Sequence, residues 1–399
     1  MSALLPGATI GIFGGGQLGR MMAMAARGMG YRILVLDPDP GCPARFIVDG
    51  CIEAAWDDSR GAAMLARGCD VVTLEIEQIG EHSMASAATF CPVRPSGALL
   101  AIVQDRIEQK NWLRKHGFPV GDYRAVRSLD ELRVAIAELG GRCFCKSATG
   151  GYDGRGQGKV GFKSSAQTGA PRLASQMWEV SEAEVRGAWE ALGEGPGVVE
   201  KAIDLEREIS VMVARSPRGE MKVYPAAWNH HENQILDWSV IPAPIPAEME
   251  AQARKIAGEI ADTFGLEGLL AVEMFVTRDG ELLINELAPR PHNSYHESER
   301  ACVTSQFEQA IRAVCDLPLG DVDLVQPAAI ANLLGDLWLD HEGKIKPVCF
   351  DKALAVPGVK LHLYEKLKPR KGRKMGHLSA IGKTADEAVE LVLRAKAAL

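Results

Sequence analysis

Two rhythms of apolar residues organise the chain. Ala8 to Phe13 is an apolar run, Gly14 to Gly19 is glycine-rich, and Leu18, Met21, Met22 and Ala25 then fall on one helical face. The pattern predicts a strand, a turn and a helix over Gln17 to Ala26. A second strand is predicted at Arg32 to Asp37, stopped by Asp37-Pro38-Asp39-Pro40, and a further one at Val71 to Leu74, which runs into Glu75 and Glu77. This alternation over about 100 residues predicts a parallel, doubly wound α/β sheet.

Beyond it, Asp105 to His116 has the pattern of a linking helix stopped by Gly117-Phe118-Pro119, so a second domain is expected to begin near Phe118. Strands are predicted at Arg142 to Lys146, Val198 to Glu200, Glu208 to Ala214, Leu269 to Thr277 and Glu281 to Leu287. Helices are predicted at Ser181 to Leu192, Ala247 to Phe264 and from Ala385 onward. These segments mix helices and strands.

Length and charge narrow the function classes. The 399 residues fit two or three domains. With 45 Lys+Arg against 52 Asp+Glu, the net charge of -7 offers no field for a polyanion, and no nucleic-acid partner is expected. The nine cysteines are scattered and never spaced Cys-x-x-Cys, as expected for reduced thiols rather than a disulfide framework or zinc site. Residues 1–7 lack a signal-like apolar core, and no apolar stretch approaches the ~18 residues of a membrane span. A cytoplasmic protein without a membrane partner is expected.

Three constellations carry candidate chemistry. Gly14-Gly15-Gly16-Gln17-Leu18-Gly19 after a strand, with Asp37 ending the next, formally satisfies a dinucleotide fingerprint. A nicotinamide cofactor, another phosphate and plain tight-turn packing all remain open for it. The segment Thr149 to Lys159 alternates glycines with polar residues and is not a Walker A loop. Its flexible amides and Arg155, with Lys146 upstream, suit a flap closing over terminal phosphates; the alternative is a solvated surface hairpin. Third, Asp279-Gly280 between alternating apolar runs predicts a two-residue hairpin turn pairing Arg278 with Glu281. That register opposes Glu273 to Glu286, and like charges so placed need a neutralising cation such as Mg2+, unless solvent or a shared proton serves. Arg290 to Ser294 and the basic turn Lys366 to Lys374 are candidate anion sites, although such runs are more often solvated faces.

Taken together, Gly14 to Met21, Gln104 to Lys110, Gly150 to Gln157, Phe275 to Ser294, Ser305 to Gln309 and Gly372 to His377 resemble the ATP-grasp superfamily, and within it the bacterial 5-(carboxyamino)imidazole ribonucleotide synthases. The resemblance implies a Rossmann-like pre-ATP-grasp domain (1–103), an ATP-grasp domain of two α+β subdomains (104–305, with a lid at 118–198) and a small C-terminal domain (306–399). It implies ATP and Mg2+ as cofactors, with Mn2+ as a substitute. Bicarbonate and aminoimidazole ribonucleotide are the implied co-substrates, and a homodimer the implied assembly.

By the same resemblance, Arg106 and Lys146 contact nucleotide phosphates. Gly151, Tyr152, Asp153, Gly154, Arg155, Gly156 and Gln157 form the flap, and Glu200, Lys201, Ala202 and Ile203 meet adenine. Glu208 is implied as the ribose ligand, His231 as another nucleotide-site residue, and Glu273 and Glu286, flanked by Asn285, as metal ligands. Tyr152, Asp153, Arg155, Arg290, His292, Asn293, Lys366 and Arg373 resemble substrate and bicarbonate residues, with Asp153 the candidate proton handler. A formate-using glycinamide ribonucleotide transformylase of the same superfamily is the alternative. The chain departs from the family pattern at Trp228, Gln234, Tyr295 and Glu297, and these departures are expected to line the ribonucleotide region.

Overall fold

The structure is a computed structural model describing residues 2–150, 156–162 and 180–399. Three sheets carry the fold. The first is parallel, in the order Gly50–Glu53, Arg32–Asp37, Thr9–Phe13, Val71–Leu74. Its central strands are buried along nearly their whole length, because helices cover both faces. The predicted strand, turn and helix are all present, the helix spanning Gln17–Gly28. The Gly50–Glu53 strand and the Ser59–Arg67 helix, capped by Asp58, were not predicted.

The second sheet has nine strands, in the order Leu282–Ala288, Gly268–Thr277, Leu205–Arg215, Ala227–Glu232, Ile235–Ile241, Ala328–Leu334, Lys374–Ile381 and Lys360–Leu363, with Met221–Val223 beside Leu205–Arg215. Its hairpin at Asn233-Gln234 puts two non-glycine residues at φ +50 and +67. This is the geometry a tight two-residue turn demands.

The third sheet runs Tyr123–Val126, Gly197–Lys201, Cys143–Ser147, Gln157–Val160, all antiparallel. Leu132, Ile136, Val185 and Leu192 from two helices pack on it. One of those helices, Glu182–Ala191, starts with a Ser181/Glu184 capping box. The chain divides into two compact units, one of Met1–Ala101, Arg207–Met274 and Glu286–Leu399, the other of Ile102–Glu206 and Phe275–Asn285.

The predicted turn at Asp279-Gly280 is corrected. Thr277 N donates to Glu281 O at 3.0 Å, Gly280 N donates to Thr277 O at 2.9 Å, and Gly280 takes φ +81. This is a three-residue loop closed by a left-handed glycine. A two-residue type I′ turn would need positive φ at Asp279 as well, which that residue does not adopt. Thr277 Oγ1 also accepts from Glu281 N, fixing the longer loop. At the turn the pairing therefore moves by one residue, to Thr277 with Glu281 rather than Arg278 with Glu281.

All nine cysteines are free, and Cys349 alone is exposed. No helix among the described residues is long and apolar enough to cross a membrane.

Candidate functional site

The glycine-rich turn after Thr9–Phe13 is filled by the protein's own carboxylates. Gly16 N donates to Glu75 Oε1 at 2.6 Å, while Leu18 N and Gly19 N donate to Glu75 Oε2 at 3.0 and 2.9 Å. Gly15 N donates to Asp37 Oδ2 at 2.7 Å. The helix N-terminus, with its unmet amides and positive dipole end, would otherwise attract a phosphate. Here the glycines admit Glu75, since a Cβ on Gly16 would lie 2.5 Å from its Oε1 and one on Gly14 2.6 Å from its Cγ. Of the three readings of this turn, internal packing is the one formed. Burial pushes the Glu75 carboxyl up to about 7, against the Gly19 and Gly16 amides.

In the first unit a charged cluster gathers around Glu273. His292 Nε2 lies 3.1 Å from Glu273 Oε1. Burial alone would raise the Glu273 pKa, but His292, His231 and Arg290 pull it down to about 2. Across the sheet Asn229 pairs with Glu208, and a bulge separates His230 from His231. Such a bulge re-aims the following side chain. His231 Nδ1 sits 2.8 Å from Glu208 Oε2. Burial works against the imidazolium, yet Glu208 and Glu273 raise the His231 pKa. Arg290, partly buried, pairs with Glu77 at 2.7 Å and also feels Glu75 and Glu286. Asn293 is buried with neither amide atom hydrogen-bonded. An orphaned buried amide beside such a cluster is the mark of a ligand position.

The second unit holds a compact cation pair on one carboxylate. Glu200 lies 2.8 Å from Lys110 Nζ and 2.5 Å from Lys146 Nζ. Burial opposes its charge, but the two ammonium groups hold its carboxyl down at about 2. Lys146 Nζ also donates to Asn285 Oδ1 at 3.2 Å, so Lys146, Glu200 and Asn285 come together as expected. Arg106 N donates to Ala148 O and Arg106 Nη1 to Ser147 O, which fixes this residue at the end of the Cys143–Ser147 strand. Lys201 is exposed, 3.9 Å from Asp122, and Ala202 N donates to Arg142 O. Ile203, partly buried, approaches Gly121.

Of the flap, Gly156 and Gln157 are described. Gly156, at φ +65, accepts from Ser147 N, and Gln157 pairs with Lys146. Gly151, Tyr152, Asp153, Gly154 and Arg155 lie outside the described residues. Lys366 Nζ donates to Gln17 Oε1 and to Lys374 O, both at 2.7 Å. Arg373 Nη1 donates to Lys368 O.

Of the departures from the family pattern, Tyr295 and Glu297 do not line an open site. Tyr295 is fully buried, its hydroxyl between Ser210 O and Pro225 O, and Glu297 is equally buried. Gln234 belongs to the tight hairpin turn, and Trp228 packs edge-on against Trp238. Residues of these clusters to which sequence reasoning gave no role are Glu75, Glu77 and Lys110. The signal for Glu75 was its place at the C-terminal end of the strand next to Thr9–Phe13, where α/β sheets put ligand-side groups. The signal for Lys110 was its place at the end of the resembling segment Gln104 to Lys110.

Among the described residues no three His, Cys, Asp or Glu side chains converge as a self-sufficient metal centre. A Mg2+ ion does not need one, because it is commonly held by one or two carboxylates with substrate phosphates.

Known proteins match along the whole chain. Residues 7–104 match the family model of the ribonucleotide synthetase preATP-grasp domain, 111–307 that of the ATP-grasp domain, and 328–391 that of the phosphoribosylaminoimidazole carboxylase C-terminal domain. The N5-carboxyaminoimidazole ribonucleotide synthase of Bacillus subtilis is 39% identical over 387 residues, covering 97% of this chain and 95% of its own. A crystal structure of an N5-carboxyaminoimidazole ribonucleotide synthetase as its ADP complex is 41% identical with a TM-score of 0.87, over 99% of this chain and 97% of that one. The Aspergillus clavatus enzyme, solved with ADP and 5-aminoimidazole ribonucleotide, is 29% identical with a TM-score of 0.85, over 98% of each chain. The chain therefore belongs to the N5-carboxyaminoimidazole ribonucleotide synthase family, with that family's succession of preATP-grasp, ATP-grasp and C-terminal domains.

Proposed function

We propose that the protein is an ATP-dependent ligase that carboxylates the exocyclic amine of 5-aminoimidazole ribonucleotide with bicarbonate, in purine biosynthesis. The observation that supports it most is the Glu273 cluster, in which a buried carboxylate is kept ionised by His292, His231 and Arg290 beside the unpartnered amide of Asn293. In the proposed reaction a bicarbonate oxygen attacks the γ-phosphorus of ATP, and the bond to the β–γ bridging oxygen breaks as ADP leaves. The amine then attacks the carbonyl carbon of the resulting carboxyphosphate. Phosphate departs with the C–O bonding pair, and the amine loses a proton, for which Asp153 is the proposed acceptor.

Glu273 and Glu286, hard oxygen donors, fit Mg2+ or Mn2+, with Asn285 beside them; the ion, when bound, offsets phosphate charge. Lys146 and Arg106 are proposed to meet the nucleotide phosphates, Glu200 to Ile203 the adenine, and Glu208 with His231 the ribose side. Arg290, His292 and Asn293 would orient the carboxylating group, while Lys366 and Arg373 would meet the ribonucleotide or bicarbonate. The flap residues 151–157 would exclude water, because carboxyphosphate must reach the amine before it hydrolyses. We assign these roles to segments 1–103, 104–305 and 306–399, in a cytoplasmic homodimer.

The test is ADP release with ATP and Mg2+, adding the ribonucleotide and bicarbonate separately and together. Strong stimulation by the ribonucleotide, suppressed by bicarbonate depletion and not restored by formate, is expected. Turnover with glycinamide ribonucleotide and formate instead would overturn the assignment.

A further inference from the structure

Lys366 is held before any substrate arrives, and the group that holds it is strained. Its ammonium donates to Gln17 Oε1 at 2.7 Å. The next turn of the same helix reinforces this, with Arg20 pairing with Glu365 at 3.0 Å while Glu365 takes a left-handed φ of +59. Because Gln17 Oε1 is taken by Lys366, its NH2 group faces His296 Nε2, at 3.5 Å. The other ring nitrogen, His296 Nδ1, lies 3.2 Å from Gln306 Nε2. The Gln306 amide is itself fixed, since its Oε1 accepts from His292 N and its Nε2 donates to His292 O, both at 2.8 Å.

His296 is thus flanked on both nitrogens by amide donors. Burial drives its pKa well below the ordinary value, so the ring is neutral and has one acceptor only. Taking the acceptor at Nδ1, the nitrogen of the shorter contact, leaves the proton on Nε2. The Nε2–H then points at the NH2 group of Gln17, donor against donor. The Gln17 amide could turn and accept from His296, but only if Lys366 lets go of its oxygen.

We propose that Gln17 is a positioning residue: it parks Lys366 in the substrate-free protein, and transfer of Lys366 to an anionic group of the co-substrate frees the Gln17 amide to turn and satisfy His296. The inference rests on the reading of Lys366 as a contact to the ribonucleotide or bicarbonate. It extends that reading to a residue of the glycine-rich turn, and it gives the turn a task other than holding a phosphate.

The test is a double-mutant cycle of Gln17→Met and Lys366→Ala, read as separate KM values for the ribonucleotide, bicarbonate and ATP. Gln17→Met removes a hydrogen bond to a charged group that is made only without co-substrate, so it should lower, by about tenfold, whichever co-substrate KM Lys366→Ala raises. The ATP KM should stay within about twofold, and the double variant should match Lys366→Ala alone. Gln17→Glu keeps size and polarity and covers the case in which Gln17→Met does not fold. A carboxylate would hold Lys366 more tightly against the co-substrate, so the same KM should rise. A parental KM in Gln17→Glu, or additive effects in the double variant, would overturn the proposal while leaving Lys366 in its role. Unchanged co-substrate KM values in Lys366→Ala would remove the reading beneath it as well.

Discussion

Glu75 is a buried carboxylate and Glu200 a partly buried one, yet they sit at opposite ends of the carboxyl range. Glu75 is held by three backbone amides of a glycine-rich helix start, and burial leaves its pKa at about 7. Glu200 is held by two ammonium groups, and its pKa stays at about 2. The difference is between dipoles and full charges. Amide dipoles orient a carboxylate without repaying its desolvation, whereas two lysines more than repay it. The glycine-rich turn is thus a place where charge is weakly held and geometry matters. The lysine pair is a place where charge itself is stored, as suits a region proposed to meet nucleotide phosphates.

The largest expected effect breaks the charged side. Glu200→Gln removes the carboxylate that the Lys110 and Lys146 ammonium groups share, and the loss of stability should be about 3–5 kcal/mol in urea denaturation. A loss below about 1 kcal/mol would mean that solvent, not Glu200, compensates the lysines.

A smaller effect is expected on the dipolar side. Gly16→Ala puts a Cβ 2.5 Å from Glu75 Oε1, so the carboxylate must shift and loosen its amide bonds. The expected cost is about 1–3 kcal/mol. An unchanged urea midpoint would show that Glu75 relaxes freely.

The smallest effect is the pH slope that separates the two. Glu75 has a folded pKa of about 7 against an ordinary 4.5, so its favourable contribution is present below pH 4.5 and is lost as pH rises through 7. Glu200, at about 2 against 4.5, contributes above pH 4.5 and loses that contribution as pH falls toward 2. Glu75→Gln should therefore remove part of the stability decline between pH 5 and about 7.5, measured by urea midpoints. Parallel pH profiles for parent and variant would contradict the assignment.

What was legible in the sequence was local. The strand, turn and helix at Thr9–Phe13 and Gln17–Gly28 follow from periodicity, as do the Glu182–Ala191 and Ala385–Ala397 helices. The candidate site residues Lys146, Glu200, Glu208, His231, Glu273 and His292 were named through family resemblance, and in the structure they pair as Lys146 with Glu200, His231 with Glu208 and His292 with Glu273. The rest depends on contacts between distant segments. That the GxGxxG turn would be closed by Glu75 is a matter of packing between residues 56 to 59 positions apart. Local pattern does not encode it. The hairpin register failed by one residue because Asp-Gly serves a two-residue turn or a three-residue loop alike, and Thr277 decides for the latter. Tyr295 and Glu297 looked like substrate-side changes because they neighbour Asn293, but the short helical turn at Asn293–Tyr295 carries Tyr295 into the core.

The central claim is that bicarbonate carbon is transferred to the ribonucleotide amine at the expense of ATP, and 13C NMR with labelled bicarbonate observes that transfer. With ATP, Mg2+ and 5-aminoimidazole ribonucleotide, a new carbamate carbon should appear in step with ADP. ADP formed with no labelled carbamate would contradict the account.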